Sequence, residues 1–341
     1  MVCGCAESFV PRHLALYKHF VPLFRLTLVF SLLLGATGQL NIVCFMMLKG
    51  VEKKQTRGQS ANPKWHRARM GLITASRVGT ILAELDIWNG TRVGRKPRGP
   101  EEKRTFTRQT VGLDPSPPLP PQVKTACMYG QVNESVALED FASILPSHYA
   151  LETECGLHLN SQFPVLGCSP DGLLRSKHSG EVEAVVEVKC PYSPRVRDYN
   201  GSTLDFIKSQ KHLKSTKQWY LRMGKDDMVE FNMKNTQGMK YWHQVQFSMF
   251  VLGLDKAVFV VWKPCGGGSP NDRLLVVNVK RVPVYDHQII PTLLNYYQEH
   301  VASEVEAQRQ VRRYFFCHFL YPREPYFCCP ISNVIGRPPY Y

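Results

Sequence analysis

Acidic residues are in short supply. The 341-residue chain carries 28 Asp and Glu against 42 Lys and Arg, a formal net charge of +14 and a pI near 9.3. The deficit suits a phosphate-rich partner, because clustered Lys and Arg bind polyanions by releasing counterions. A basic solvated surface, or basic targeting and loop segments, would give the same total. Paired cysteines are lacking too. Of the 11 Cys, Cys3 and Cys5 lie too close for a usual zinc knuckle, and Cys328 and Cys329 are adjacent. Cys155, Cys168, Cys190 and Cys265 sit in or beside apolar runs, as buried free thiols do. That usage speaks against a disulfide framework and for a reducing compartment. No internal repeat is present, so a repeat architecture is excluded.

Three regions differ in composition. Residues 1–58 hold two acidic residues, Glu7 and Glu52, and one long apolar run, LTLVFSLLLGATGQLNIVCFMML at 26–48. The run is long enough to span a bilayer, although Thr37, Gln39 and Asn41 weaken its middle. With Arg12, Lys18 and Arg25 ahead of it and Ala36-Thr37-Gly38 as small residues, it equally suits a signal peptide with a long leading region. An organelle presequence and an extension without a role in the chemistry are the other two readings. The globular domain is expected over 59–315. The tail at 316–341 is Pro- and Cys-rich and irregular.

Within the domain, WHRARMGLITASRVGTILAEL leads from an extended piece into a helix, with Ser76 expected as its N-cap. Residues 86–124 read as a flexible basic loop ending in DPSPPLPPQ. Helical spacing resumes at Gly130 and runs to about Leu145. Strands are expected at 151–159, 163–168 and 184–190. A polar, basic insertion follows at 192–240, with a hairpin at 219–234. The helix at 241–253, strands AVFVVW and RLLVVNVKRV, and a helix at 286–311 complete the domain.

The most informative stretch is PDGLLRSKHSGEVEAVVEVK at 170–189. Asp171 sits on a Pro-Asp-Gly turn, a common turn sequence that by itself says little. The run AVVEVKC is otherwise apolar and β-branched, as a buried strand requires. Successive strand side chains point to opposite faces, so Glu187 and Lys189 project together and Val188 projects into a core. Two carboxylates and a lysine at the end of a buried strand are costly unless something uses their charge. A divalent cation held by Asp171, Glu187 and the backbone carbonyl of Val188 accounts for them and leaves positions open for water and a phosphate oxygen. A salt bridge from Lys189 to Glu187 or Glu134 is the plainer alternative. Glu134 shares a helix face with Ala137, Leu138, Phe141 and Leu145, while Gln131, Ser135 and Glu139 take the wet side. Gln244 and Gln246 interrupt the apolar helix YWHQVQFSMFVLG.

Taken together, PD…EVK, GQVNE and QVQ resemble the YqaJ viral recombinase family of PD-(D/E)XK nucleases, which includes phage lambda exonuclease. The resemblance spans roughly residues 65–265. It implies an α/β fold with a restriction-endonuclease-like core, a mixed central β-sheet flanked by α-helices. It implies a Mg²⁺-dependent deoxyribonuclease, with Mn²⁺ as a substitute, acting 5′ to 3′ on linear duplex DNA in recombination or repair. Asp171 and Glu187 would bind the metal with Glu134 in support. Lys189 would handle the attacking water, and Gln244 would orient it. Arg69 and Ser76 in RMGLITASR resemble the family segment that receives a terminal 5′-phosphate; a structural cap plus a surface arginine is the alternative. The implied partners are linear duplex DNA ends, a single-strand annealing protein and further copies of the chain. The cysteine triplet that would complete an iron–sulfur site in some related nucleases is absent. A DNA enzyme would work in nucleus or mitochondrion, whereas 26–48 would favour a membrane or secretory route. The rival classes are a non-catalytic DNA-binding scaffold and a membrane-associated protein with a repurposed nuclease-like domain.

Overall fold

The fold is built on one strand, β6 (Val182–Lys189), whose alternating side chains serve two cores. A computed structural model describes residues 53–264 and 269–315. Residues 26–48, the Gly-rich turn with Cys265 and the 316–341 tail lie outside the described residues. Among those described, no helix is long and apolar enough to cross a membrane.

The chain enters through α1 (Pro63–Ala68), β1 (Ile73–Thr74) and α2 (Ala75–Trp88). Then come α3 (Pro100–Thr110) and α4 (Pro121–Ser143). Strands β2 (Tyr149–Thr153), β3 (His158–Leu159), β4 (Leu166–Cys168) and β5 (Gly172–Ser176) lead to β6. After it lie α5 (Pro194–Arg197), α6 (Thr203–Ser209), β7 (Leu221–Met223), β8 (Val229–Phe231) and α7 (Thr236–Leu252). The domain closes with β9 (Lys256–Trp262), α8 (Pro270–Arg273), β10 (Leu274–Lys280), α9 (Ile290–Tyr296) and α10 (Ala302–Phe315). Two π-helical turns, Tyr285–Ile289 and Tyr297–Val301, make the last helices continuous.

The main sheet has the order β10-β9-β6-β5-β2 and is mixed. Strand β6 runs parallel to β9 and antiparallel to β5. On one face Val185, Phe259 and Val261 pack with Val78 and Ile81 of α2, Val245 and Phe247 of α7, and Leu293 of α9. On the other, Val186, Val188, Val258 and Val260 pack with Ala137, Leu138 and Phe141 of α4. Each fully buried Val or Phe contributes roughly 1.5–3 kcal/mol. Apolar anchors on both faces therefore hold β6 in place while it carries Glu187 into the interior.

Several expected boundaries shift, each for a local reason. The 86–124 stretch is not all loop. Pro100 stands at the first position of α3, Glu101 and Glu102 occupy its first turn, and Glu102 accepts the Gly99 N–H at 2.9 Å. Arg108 at its end pairs with Asp114 at 2.6 Å and Glu304 at 2.7 Å. Helix α4 starts at Pro121, nine residues ahead of Gly130, because Pro121 sets the helical φ and an interior Gly costs only about 1 kcal/mol. The expected strand at 151–159 splits in two where Glu154 and Gly156 take φ of 54° and 71°. The 192–240 insertion has its hairpin, β7 with β8. It also adds Val196, Phe206, Ile207 and Leu221 to the core, so it is part of the fold rather than an appendage.

Helices α2 and α7 meet at Gly79, where an added Cβ would lie 2.8 Å from the Lys240 Cα. Gly79→Ala should gain helix propensity of up to about 1 kcal/mol and still lose stability by about 1–3 kcal/mol, because backbone must move. A chemical-denaturation midpoint at or above the parental one would show that α2 and α7 can separate freely.

Candidate active site

Asp171, Glu187 and Lys189 meet at the end of β6. The Asp171 carboxylate accepts the Val188 N–H at 2.8 Å, which ties the Pro-Asp-Gly turn to the strand across the β5–β6 pairing. Glu187 is 1% exposed. Lys189 Nζ donates to Glu187 at 2.5 Å and to the Val188 carbonyl at 3.0 Å, and lies 3.9 Å from Asp171. The salt bridge offered as the plainer alternative is therefore present, and the carbonyl expected to face a metal engages the lysine. From α7, Gln244 donates its amide N–H to Glu187. From α4, on the far side of the sheet, Glu134 comes near enough to feel Asp171 and Lys189. A cleft of about 590 Å³ opens at Glu134 and Asp171, walled by residues 58–61 and by Gln131 and Glu139 of α4.

The electrostatics follow from the inventory. Burial lifts Glu134 to about 7, helped by Asp171. Burial and the charges of Asp171 and Glu134 lift Glu187 to about 8. Burial also raises Asp171, against Lys189 and the Val188 N–H. Burial alone would lower Lys189, but Glu187 and Asp171 outweigh it and raise it above its ordinary value. A raised lysine means a charged ammonium, and raised carboxylates mean acids that resist ionisation. The two directions agree once the charges are counted. Three carboxylates against one ammonium leave a deficit of two positive charges, so one acid is compensated and the other two are not. The neighbouring Cys190 thiol is pushed up to about 12 by burial and by Glu134, so it is no thiolate nucleophile.

That donor set fits a hard divalent cation: carboxylate oxygens, a shortfall of two charges and an adjacent cleft. The carboxylates are not gathered into a ready-made cage, since among the described residues no three His, Cys, Asp or Glu side chains form a ligand array.

A second centre lies at Arg69, the C-cap of α1. Its guanidinium donates to Thr74 Oγ1 at 2.8 Å and Ser76 Oγ at 3.2 Å and stacks 3.9 Å from the centroid of the Trp65 ring. It makes no ion pair among the described residues. Burial and the charge of Arg77 lower it to about 10, as expected of a cation without a counter-ion. Ser76 is not the N-cap. The extended residue before α2 is Thr74, at the end of β1, and Ser76 stands at the second helical position. Both hydroxyls face Arg69 instead of closing the helix end.

The expected site residues thus form two groups, Asp171, Glu187, Lys189, Gln244 and Glu134 in one and Arg69 with Ser76 in the other. Gln246 joins neither: its amide bridges the Lys280 carbonyl at 2.8 Å and the Val282 N–H at 3.0 Å, locking α7 to β10. Two aromatic neighbours escaped the sequence. Lys189 Nζ lies 5.3 Å over the Tyr241 ring, and Trp65 backs Arg69. Both were signalled by spacing, Tyr241 one turn before Gln244 and Trp65 one turn before Arg69.

Residues 64–255 match the model of the YqaJ-like viral recombinase domain. Among solved structures, an alkaline exonuclease (LHK-Exo) from Laribacter hongkongensis aligns at 16% identity and a TM-score of 0.44, over 74% of this chain and 98% of that one. A phage-related exonuclease from Haemophilus somnus 129PT aligns at 12% and 0.40, over 69% and 96%. The shutoff and exonuclease protein from Kaposi's sarcoma-associated herpesvirus aligns at 14% and 0.39, over 73% and 71%. No curated protein matches the chain in sequence.

The raised acids give stability a definite pH slope. Between the ordinary glutamate value of 4.5 and about 8, the folded carboxylate cluster around Glu187 keeps a proton that the unfolded chain has released. The folded state then binds more protons, so stability falls as pH rises through that window and levels off above it. In chelator, the melting temperature should be lower at pH 8 than at pH 6, and Glu187→Gln should flatten the difference. A parental slope that Glu187→Gln leaves intact would assign the titration to another group.

Proposed function

Because the chain belongs to the YqaJ-like viral recombinase family, a family of nucleases, we propose that it is a metal-dependent deoxyribonuclease that hydrolyses linear duplex DNA from 5′ ends. The observation that carries this function is the buried shortfall of two positive charges among Asp171, Glu187 and Glu134 beside Lys189. Asp171 and Glu187 would hold the ion, with Glu134 on the cleft side. A Mg²⁺ ion bound there supplies neutralisation of charge on the scissile phosphate and acidifies water.

The chain's own residues do the rest. Lys189 begins as an ammonium whose raised proton affinity depends on Glu187 and Asp171. With a divalent cation held by those carboxylates, that support would weaken while burial would still lower the lysine. Lys189 would then take the proton of the attacking water. Gln244, already donating to Glu187, holds that carboxylate in one orientation. Arg69, with no counter-ion among the described residues, suits a terminal phosphate that carries more charge than an internal diester. The basic stretches 92–108 and 195–225 suit the phosphate backbone.

Asp171→Asn and Glu187→Gln should abolish Mg²⁺-dependent cleavage of 5′-phosphorylated linear duplex while the proteins stay folded. Cleavage at the parental rate by either would remove the carboxylate assignment. Lys189→Ala should retain duplex binding and slow the chemical step about 10²–10⁴-fold, the usual worth of a proton-transfer group. Loss of binding with an unchanged turnover would make Lys189 a DNA contact instead. Finally, the parent should degrade 5′-phosphorylated ends faster than 5′-hydroxyl ends, and Arg69→Ala should shrink that preference more than it lowers the hydroxyl-end rate. Equal parental rates on both ends would favour an endonuclease on the same carboxylates.

A further inference from the structure

The turn that carries Asp171 is irregular: Ser169 and Pro170 stand between the end of β4 and the start of β5. It is gripped from residues 59–69. Trp65 Nε1–H donates to Ser169 Oγ at 2.8 Å, and the Gln59 amide donates to the Pro170 carbonyl at 3.1 Å. The same Trp65 ring supports the Arg69 guanidinium at 3.9 Å. A single indole therefore touches the cationic centre with its face and the carboxylate turn with its N–H, two residues from Asp171. Asp171 in turn reaches β6 through the Val188 N–H at 2.8 Å. The two centres are joined by a short path of directional contacts.

We propose that Trp65 is a positioning residue that couples the two centres, so that an anion held at Arg69 tightens divalent-cation binding at Asp171. This rests on the nuclease function proposed above and deepens it: a terminal phosphate would prepare the carboxylate centre for the reaction. Arg69 now divides its donors between Thr74, Ser76 and the aromatic face. An anion gives the guanidinium a fixed partner, the fixed guanidinium restricts the indole, and the restricted indole holds Ser169 and the turn. Coupling of this kind is reciprocal, so the cation must tighten the anion by the same factor.

Mn²⁺ affinity of the full chain, read by electron paramagnetic resonance, tests the coupling without cleavage. Deoxyadenosine 5′-monophosphate serves as probe, since it carries a terminal phosphate and no diester; deoxyadenosine is the control. The nucleotide should tighten Mn²⁺ about fivefold, the worth of one net hydrogen bond, and the nucleoside should not. Trp65→Phe keeps an aromatic face for Arg69 and loses the N–H; Ser169→Ala loses the acceptor. Each should abolish the tightening, and the double variant should lose no more than either single one. Ser169→Ala also keeps the test decisive where Trp65→Phe does not fold. Equal tightening in parent and variants would mean that the phosphate touches the ion directly, and it overturns the coupling, as does no tightening in the parent. Cleavage of linear duplex by the parent is scored separately. Tightening without cleavage would sink the nuclease function and leave the coupling, and cleavage without tightening would do the reverse.

Discussion

One ammonium serves three carboxylates at the end of a buried strand, and the rest of the molecule is arranged around that imbalance. Two unit charges 4 Å apart interact by about 4 kcal/mol at an effective dielectric constant near 20. The Lys189–Glu187 contact at 2.5 Å therefore compensates one acid well, and Asp171 at 3.9 Å only shares in it. Glu134 adds a third acid that, among the described residues, shares the same lysine. A fold that keeps such a cluster must hold it by other means. Strand β6 does so through Val185 on one face and Val186 and Val188 on the other, each buried valine contributing roughly 1.5–3 kcal/mol.

The flanking helices convert this strand into a site. Helix α7 is fastened twice, by Gln246 to the end of β10 and by the close approach of Gly79 on α2, and so presents Gln244 to Glu187 in one geometry. Helix α4 covers the opposite face with Ala137, Leu138 and Phe141, and the same stripe brings Glu134 around the strand end to Asp171. The order of three segments in the sequence, helix, turn and strand, then another helix, becomes a convergence in space because the sheet separates α4 from α7.

Much of this was legible in the residues. Alternation in AVVEVKC placed Glu187 and Lys189 on one side and Val188 on the other. The helical period of NESVALEDF assigned the buried and wet faces of α4. What escaped was decided by tertiary context. The helix at Pro100–Thr110 forms in a stretch rich in Pro and Gly because Arg108 finds Glu304, nearly 200 positions away. The start of α4 was obscured by a mid-helix glycine. Ser76 looked like a cap because serine favours that position, but Thr74 ends β1 and takes the extended conformation first. Trp65 and Gln59 gave no sign of gripping the Asp171 turn, since their partners lie about 100 residues away.

The two cations at the heart of the molecule have opposite histories. Lys189 sits among acids and is held more firmly charged than a free lysine, whereas Arg69, among the described residues, has hydroxyls, an aromatic face and a neighbouring arginine and makes no ion pair. One centre is short of positive charge and the other of negative charge. Among the described residues no ion pair joins them: Arg69 is held by Thr74, Ser76 and the Trp65 ring, and Asp171 by the Val188 N–H. A ligand that combines a divalent cation with a phosphate would satisfy both at once, the cation at the carboxylates and the anion at the guanidinium. Under the function proposed above, the separation of the two unmet charges, more than either residue set alone, would select a nucleic-acid end over a free ion or a neutral substrate.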